Sequence, residues 1–478
     1  MSIHNRIRKI HRRNLGMSDE IQNASLHPVL KQIYANRHIN SLDQIDYSLD
    51  RLANYKQLKD IDTAANIVAD AVINDRQILI VGDYDADGAT STALVVRALN
   101  SFGAGKVNYL VPNRFEYGYG LTPEIVDVAT EFSPEVLITV DNGISSIDGV
   151  CAAKRHNIKV VVTDHHLPGQ QLPDADAIVN PNQPGCEFSS KSIAGVGVAF
   201  YLMLAVRAVL RDRDWFDAQR TAPNMADLLD LVALGTVADV VPLDENNRIL
   251  VEQGIRRIRG GKARAGIRAL FKAAGKDVRA CTSTDFGFFI GPRLNAAGRL
   301  EDMSAGVECL ITESDSVAGD IANELNRLNV QRKQIEQGML GQALDDMNLL
   351  LETLENDQLQ AGLCLYNAEW HQGVIGLLAS RIKERFHRPV VAFANANDDP
   401  GSNEIKGSAR SIQGLHIRDV LDSIATRHPG LVQKFGGHAM AAGLSISREN
   451  FAAFKQAFER EVESHLSADQ LEEVVETD

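Results

Sequence analysis

The stretch Ile78-Leu79-Ile80-Val81-Gly82-Asp83-Tyr84-Asp85-Ala86-Asp87-Gly88 sets an unbroken apolar run directly against three alternating aspartates. Four apolar residues in a row, with no polar alternation, read as a strand buried on both faces. Residues 90–99 carry a helical pattern, so the aspartates sit in a strand-to-helix turn. Three carboxylates in so short a segment repel one another unless cations lie between them, and hard oxygen donors of this kind suit Mg²⁺ or Mn²⁺. Two plainer readings compete: a solvated acidic loop, and a calcium loop of the Asp-x-Asp-x-Asp-Gly type. An EF-hand needs a helix before the loop and a Glu six residues after the glycine. Here a strand precedes, and Leu94 stands six residues past Gly88.

Outward from this stretch the pattern repeats. Residues 107–111, 136–140 and 160–162 read as buried strands, and 123–129 and 149–156 as helices between them. Alternation of this kind argues a parallel sheet covered on both faces, which binds ligands at the carboxyl ends of its strands. Asp141 closes the run 136–140, and Asp164-His165-His166 closes the run 159–163. All three polar clusters therefore belong on one sheet edge. Asp239 adds a fourth ending after a long apolar stretch, in Gly235-Thr236-Val237-Ala238-Asp239-Val240-Val241-Pro242. A lone aspartate in such a place is ordinarily a turn residue or a helix cap, and a histidine pair ordinarily a hydrogen-bonded structural feature. It is their joint occurrence at successive strand ends that favours a metal centre.

Residues 316–356 change rhythm: Val317, Ile321, Leu325, Leu328, Ile335 and Met339 recur at helical spacings with no proline. This reads as a long amphipathic connector. A second α/β unit follows, with strands at 363–366 and 390–393, a helix at 374–386, and Gly436-Gly437-His438 before the small-residue run 439–443. The acidic tail from Ser467 reads as frayed.

The 478-residue chain is long enough for two or three domains, with 44% hydrophobic and 23% charged residues, as in an ordinary globular protein. No apolar run reaches membrane-spanning length, and residues 1–17 lack the apolar stretch of a secretory signal. Cys151, Cys186, Cys281, Cys309 and Cys364 form no CxxC pair, which argues against a zinc cluster or disulfide framework and fits a reducing cytoplasm. A net charge of −14 counts against indiscriminate coating of nucleic acid, yet leaves room for a local basic groove, because screening limits long-range charge. Two basic clusters compete for that role against the reading of a solvated helix face. One is Arg6, Arg8, Lys9, Arg12 and Arg13; the other is Arg256, Arg257, Arg259, Lys262, Arg264 and Arg268.

In order, DYDADG (83–88), TVDNG (139–143), DHH (164–166) and GTVADVVPL (235–243) resemble the four motifs of DHH-family phosphoesterases. The flanking VPNRFEYGYGL (111–121), SIAGVGVAFYLML (192–204) and GPRLNAAGR (291–299) look like the RecJ branch of that family. EWHQGVIGLLASRI (369–382), KGSARSI (406–412) and KFGGHAMAAGLS (434–445) are similar to the DHH-associated domain. The resemblance covers residues 25–466. It implies an α/β protein in which a parallel-sheet DHH domain is joined by a long helix to a smaller α/β DHH-associated domain. The expected division is an N-terminal extension (1–50), the catalytic domain (51–315), the connecting helix (316–357), the substrate-binding domain (358–466) and the acidic tail (467–478).

The resemblance also implies roles. Asp83, Asp85, Asp87, Asp141, His165 and Asp239 would hold two divalent ions, Mn²⁺ or Mg²⁺, with Asp141 as bridge and Asp83 the least clearly matched. His166 would face the scissile phosphate and Asp164 would orient the histidine pair. Two such ions activate a water and neutralise charge on the phosphate during in-line displacement. Arg114, Arg293, Asn295, Arg299, Ser408, Arg410 and His438 would grip the substrate in a cleft that admits a single strand and bars a duplex. The implied activity is a cytoplasmic 5′-to-3′ exonuclease on single-stranded DNA, releasing 5′-mononucleotides in DNA repair and recombination. The implied protein is a monomer that partners single-strand-binding protein and a helicase, with no membrane contact. The alternatives are a DHH phosphodiesterase for short oligonucleotides or cyclic dinucleotides, an inorganic pyrophosphatase, and a catalytically dead DNA-binding module. A mere binder gains nothing from carboxylates crowded near phosphates, which weighs against the last. Chains of this branch continue into an OB-type fold, whereas this sequence stops at Asp478. The expectation is a complete catalytic centre with weak strand retention.

Overall fold

The computed structural model describes residues 9–113, 116–117, 120–353, 359–396 and 403–478. They form two compact units: Leu42–Val330, and a second built from residues up to Ser41 together with Gln331–Asp478.

In the first unit, five parallel strands lie in the order Val107–Leu110, Ile78–Gly82, Val136–Val140, Lys159–Thr163, Ala177–Val179. Unbroken apolar runs suit this sheet because both faces are covered. Ile78 and Ile80 enter one core with Val136, Ile138, Val140 and Val161, while Leu79 and Val81 enter the other with Leu137, Val160 and Val162. Full burial of each such side chain contributes about 1.5–3 kcal/mol. Register aligns the strand ends: Gly82 lies opposite Val140, and Val140 opposite Thr163. Asp83, Asp141 and Asp164 are each the next residue, so three carboxylates emerge in a row. The chain leaves Ile78–Gly82 toward one neighbour and returns to the other side as Val136–Val140, which makes this the switch point where open α/β sheets bind ligands.

The helix expected at 90–99 runs from Ala86 to Phe102. Asp85 starts it by accepting from the Asp87 and Gly88 amides (2.9 and 3.0 Å), and Gly103 ends it at φ +90°. The apolar stretch before Asp239 is also a helix, Leu229–Ala238, buried nearly all round. Asp239 therefore reaches the site from a helix end, unlike the other three.

The second unit holds a sheet in the order Lys434–Gly437, Ala441–Ser447, Glu404–Arg410, Val390–Asn395, Leu363–Tyr366, antiparallel except for its last pair. Phe393, Phe454 and Phe458 centre its core. The helix Asp315–Thr353 links the units; positions 354–357 of the expected helix lie outside the described residues.

Both ends of the chain differ from expectation. The tail is not frayed: Val474–Thr477 pairs in parallel with Lys9–Arg12. Lys9 is salt-bridged to Glu472, Arg13 to Glu476 and Arg37 to Asp478. Opposite charges hold the two segments side by side, and the ladder pairs the backbone groups on their facing edges. Of the basic cluster there, Arg6 and Arg8 lie outside the described residues.

The second basic cluster is largely matched by acids or carbonyls. Arg256 pairs with Glu252, Arg257 with Asp227, Arg268 with Asp315, and Arg259 donates to the Cys281 carbonyl. Arg264 is buried against Asp230, its Nε 2.9 Å from Oδ2. Breaking a buried pair strands a charge at a cost of about 3–5 kcal/mol. Asp230→Ala should lower the denaturation midpoint accordingly, and an unchanged thermal or urea midpoint would show the pair to be inert. Among the described residues, no helix is long and apolar enough to cross a membrane.

Candidate metal centre

The acid loop, the Asp141 turn, the histidine pair and the end of the Leu229–Ala238 helix converge at the switch point. Three ligand sets have donor atoms within 4.8 Å of one another: Asp83, Asp85 and Asp141; Asp87, His165 and Asp239; and Asp141, His165 and His166. His165 Nε2 lies 3.2 Å from Asp141 Oδ1 and 3.4 Å from Asp239 Oδ2.

The sequence makes room for this cluster with glycines whose role only the fold reveals. A Cβ on Gly195 would stand 2.5 Å from Asp141 Oδ1, and one on Gly235 would stand 2.8 Å from Asp87 Oδ1. Asp87 also accepts the Gly195 and Val196 amides (2.7 and 3.0 Å) at the start of the helix Gly195–Asp212. Asp141 adopts a left-handed backbone at φ +62°. The adjoining Asn142 donates to the Val81 and Val140 carbonyls, joining the two strand ends.

Asp164 and His166 form a separate pair. Asp164 Oδ1 lies 2.7 Å from His166 Nδ1 and accepts the amides of His165 and His166, while Oδ2 accepts that of Ile144. Burial opposes the charge of both groups. The hydrogen bond and mutual attraction win, leaving Asp164 lowered to about 2 and His166 raised to about 9. Three of the neighbouring carboxylates go the opposite way. Burial, then repulsion by neighbours, pushes Asp87 and Asp141 well up and Asp239 to about 7.

A donor set of carboxylate oxygens with one imidazole fits hard divalent ions such as Mn²⁺ and Mg²⁺. Cations there would relieve the repulsion that adds to burial in raising Asp87, Asp141 and Asp239. Asp239 Oδ2 adds to the fit, being buried and without a hydrogen bond among the described residues.

The sequence-predicted substrate residues are placed as follows. Arg293 is buried on the helix Gly291–Leu300; its Nε donates to Asn326 Oδ1 (3.0 Å) and Nη1 to the Phe289 carbonyl (2.6 Å). Asn295 Oδ1 accepts the Ala86 amide at 2.8 Å, so this side chain holds the acid loop in place. Arg299 lies one turn on, half-buried. In the second unit, Arg410 Nη1 donates to Ser408 Oγ at 3.0 Å. Both face Gly376 at the start of the helix Ile375–Phe386, where a Cβ would stand 2.8 Å from Arg410 Nη2. His438 is exposed between the strands Lys434–Gly437 and Ala441–Ser447. Arg114 lies outside the described residues. Sequence reasoning missed Asn180 and Asn182, whose amides hold the His166 and His165 carbonyls at 3.0 and 2.7 Å. The only local signal was an Asn-Pro-Asn just past a strand.

Residues 77–236 match the DHH family N-terminal domain, and residues 330–464 match the DHHA1 domain. The single-stranded-DNA-specific exonuclease RecJ of Salmonella typhimurium is 54% identical over 94% of this chain and 77% of its own length. The Escherichia coli RecJ is 56% identical over 91% and 74%. The chain belongs to the RecJ family. A RecJ crystal structure from Thermus thermophilus in complex with Mn²⁺ superposes with a TM-score of 0.80 at 30% identity, covering 98% of this chain and 64% of that one. A second structure, from the same organism, is a RecJ complex with Mg²⁺, with a TM-score of 0.74 at 27% identity, covering 98% and 62%. RecJ relatives are thus metal-bound in crystals, and this chain spans about three quarters of the enteric RecJ sequences and less of the Thermus one.

Proposed function

We propose that the protein is a metal-dependent exodeoxyribonuclease that hydrolyses single-stranded DNA from its 5′ end, releasing 5′-mononucleotides in DNA repair and recombination. The observation that carries the reading is the joining of His165, Asp141 and Asp239 within 3.2–3.4 Å at the switch point of a RecJ-type sheet.

Asp83, Asp85, Asp87, Asp141, His165 and Asp239 would hold two Mn²⁺ or Mg²⁺ ions. When bound, such ions supply an activated water and offset phosphate charge. The protein's own groups do the rest. Asp164 keeps His166 oriented and protonated on Nδ1, which leaves Nε2 to face the scissile phosphate. Asn295, Asn180 and Asn182 fix the loops that carry the ligands. Arg114, Arg293, Arg299, Ser408, Arg410 and His438 are the proposed grips on the DNA backbone, Arg by bidentate contact. The chemistry falls to residues 51–315 and substrate holding to 358–466, joined by 316–357. A monomer acting on single strands needs duplexes opened first, which makes a helicase and single-strand-binding protein the natural partners, in a reducing cytoplasm that suits the free cysteines.

The deciding assay offers a 5′-labelled single strand, its duplex, a dinucleotide and pyrophosphate, each with Mn²⁺. Mononucleotide release from the single strand alone supports the reading, and preference for the dinucleotide or pyrophosphate refutes it. Arg410 gives an independent check. Single-strand affinity should fall with salt at a slope of about −0.7 per phosphate contacted. Arg410→Ala should flatten that slope by about 0.7, and an unchanged slope would remove Arg410 from the phosphate grip.

A further inference from the structure

The groups assigned so far address metal and phosphate, and none addresses the nucleoside. Two exposed apolar side chains sit on segments that carry or brace the metal-centre residues. Val240 directly follows Asp239, is 84% exposed, and has φ +63°. Every other non-glycine residue in that backbone region among the described residues is Asp, Asn, Ser or His. A β-branched residue there is a genuine outlier. Helices commonly place glycine just past their end for this reason. Local sterics and hydration thus both oppose a valine here, and such strain persists where function requires it.

Phe288 is 73% exposed. It sits in a π-helical turn, Phe286–Ile290, between the buried Phe286 and Ile290. The segment runs along the last turn of the helix that delivers Asp239. A Cβ on Gly287 would lie 3.7 Å from Val237 Cγ1, and one on Gly291 would lie 3.1 Å from Ala238 Cβ. The same segment leads into Asn295, which holds the acid loop. Isolated π-turns recur at functional sites.

We propose that Val240 and Phe288 form the apolar rest for the 5′-terminal nucleoside, with Phe288 stacking on its base. The assignment builds on the nuclease reading. Every base has a π-face, so such a rest tolerates any sequence. The terminal base of a duplex is held by its pairing partner and by one stacked neighbour and would have to give these up, so the rest favours an unpaired end.

The test uses Val240→Gly, Val240→Thr, Phe288→Ala and Phe288→Leu in the full chain with Mn²⁺. Two oligonucleotides are compared, one intact and one abasic at its 5′-terminal residue, with kcat and KM, the melting temperature and Mn²⁺ affinity recorded. Stacking lost from Phe288→Ala should lower kcat/KM on the intact strand by about 5- to 150-fold. The preference for the intact over the abasic end should vanish, with melting temperature and Mn²⁺ affinity unchanged. Val240→Gly should melt no lower than wild type and still lose part of that preference. Val240→Thr and Phe288→Leu, which keep the bulk, should fall between. Wild-type preference retained in both Val240→Gly and Phe288→Ala, or a wild type indifferent to the abasic end, overturns the proposal while the nuclease reading stands. A wild type that cleaves no single strand overturns both.

Discussion

Asp141→Ala should reduce single-strand cleavage by well over 100-fold under saturating Mn²⁺ and leave DNA binding in place. Losing a residue that merely orients a ligand already costs about 10–100-fold. Asp141 belongs to two of the three candidate ligand sets, so its loss should weaken the holding of both proposed ions. Its carboxylate is also the one that Gly195 leaves space for. The shape-preserving Asp141→Asn should share the defect. Burial and the neighbouring carboxylates oppose the Asp141 charge, so Asp141→Asn should melt higher than wild type in chelator. Calorimetric titration with Mn²⁺ and melting in EDTA read the two effects separately. Near-wild-type cleavage by either variant removes Asp141 from the ligand set.

Asp164→Asn should lower kcat by about 10–100-fold with little change in Mn²⁺ stoichiometry, because Asp164 acts through His166 and the loop amides. It carries a pH signature in chelator. Asp164 is lowered to about 2 in the folded protein, so its contribution to stability is present above the ordinary carboxylate range and lost as pH falls toward 2. His166 is raised to about 9, so its contribution is complete below its unperturbed value and lost as pH rises through 9. The melting difference between wild type and Asp164→Asn should therefore be largest from about pH 4 to 6.5 and shrink toward pH 9. A difference that is flat across that range would mean that the pair does not couple to folding.

The catalytic sheet was legible because strands buried on both faces need unbroken apolar runs, and 78–81 and 136–140 have them. The three aspartates at the strand ends followed from that pattern. Asp239 was named with them, but the element that carries it was not legible, because a helix buried all round shows neither alternation nor an amphipathic stripe. The Leu229–Ala238 segment reads the same either way. Gly195, Asn180 and Asn182 escaped notice because their purpose lies in contacts with residues distant in sequence. The basic run at 256–268 was ambiguous for a similar reason: its partners Asp227, Asp230 and Asp315 come from other segments. The tail misled because charge and polarity describe a free end well until an oppositely charged strand is found to receive it.

The pairing of Lys9–Arg12 with Val474–Thr477 has a consequence for biosynthesis. The unit Leu42–Val330 is one continuous stretch and has all its parts once Val330 leaves the ribosome. The other unit begins first yet has to wait for a strand near residue 474. At about 5–20 residues per second, the stretch from Arg12 to Val474 takes roughly 23–90 s to make. During that time, a strand of Lys, Ile, His and Arg stands with its hydrogen-bonding edge open. Positive charge on such an edge disfavours its joining its like on a neighbouring nascent chain.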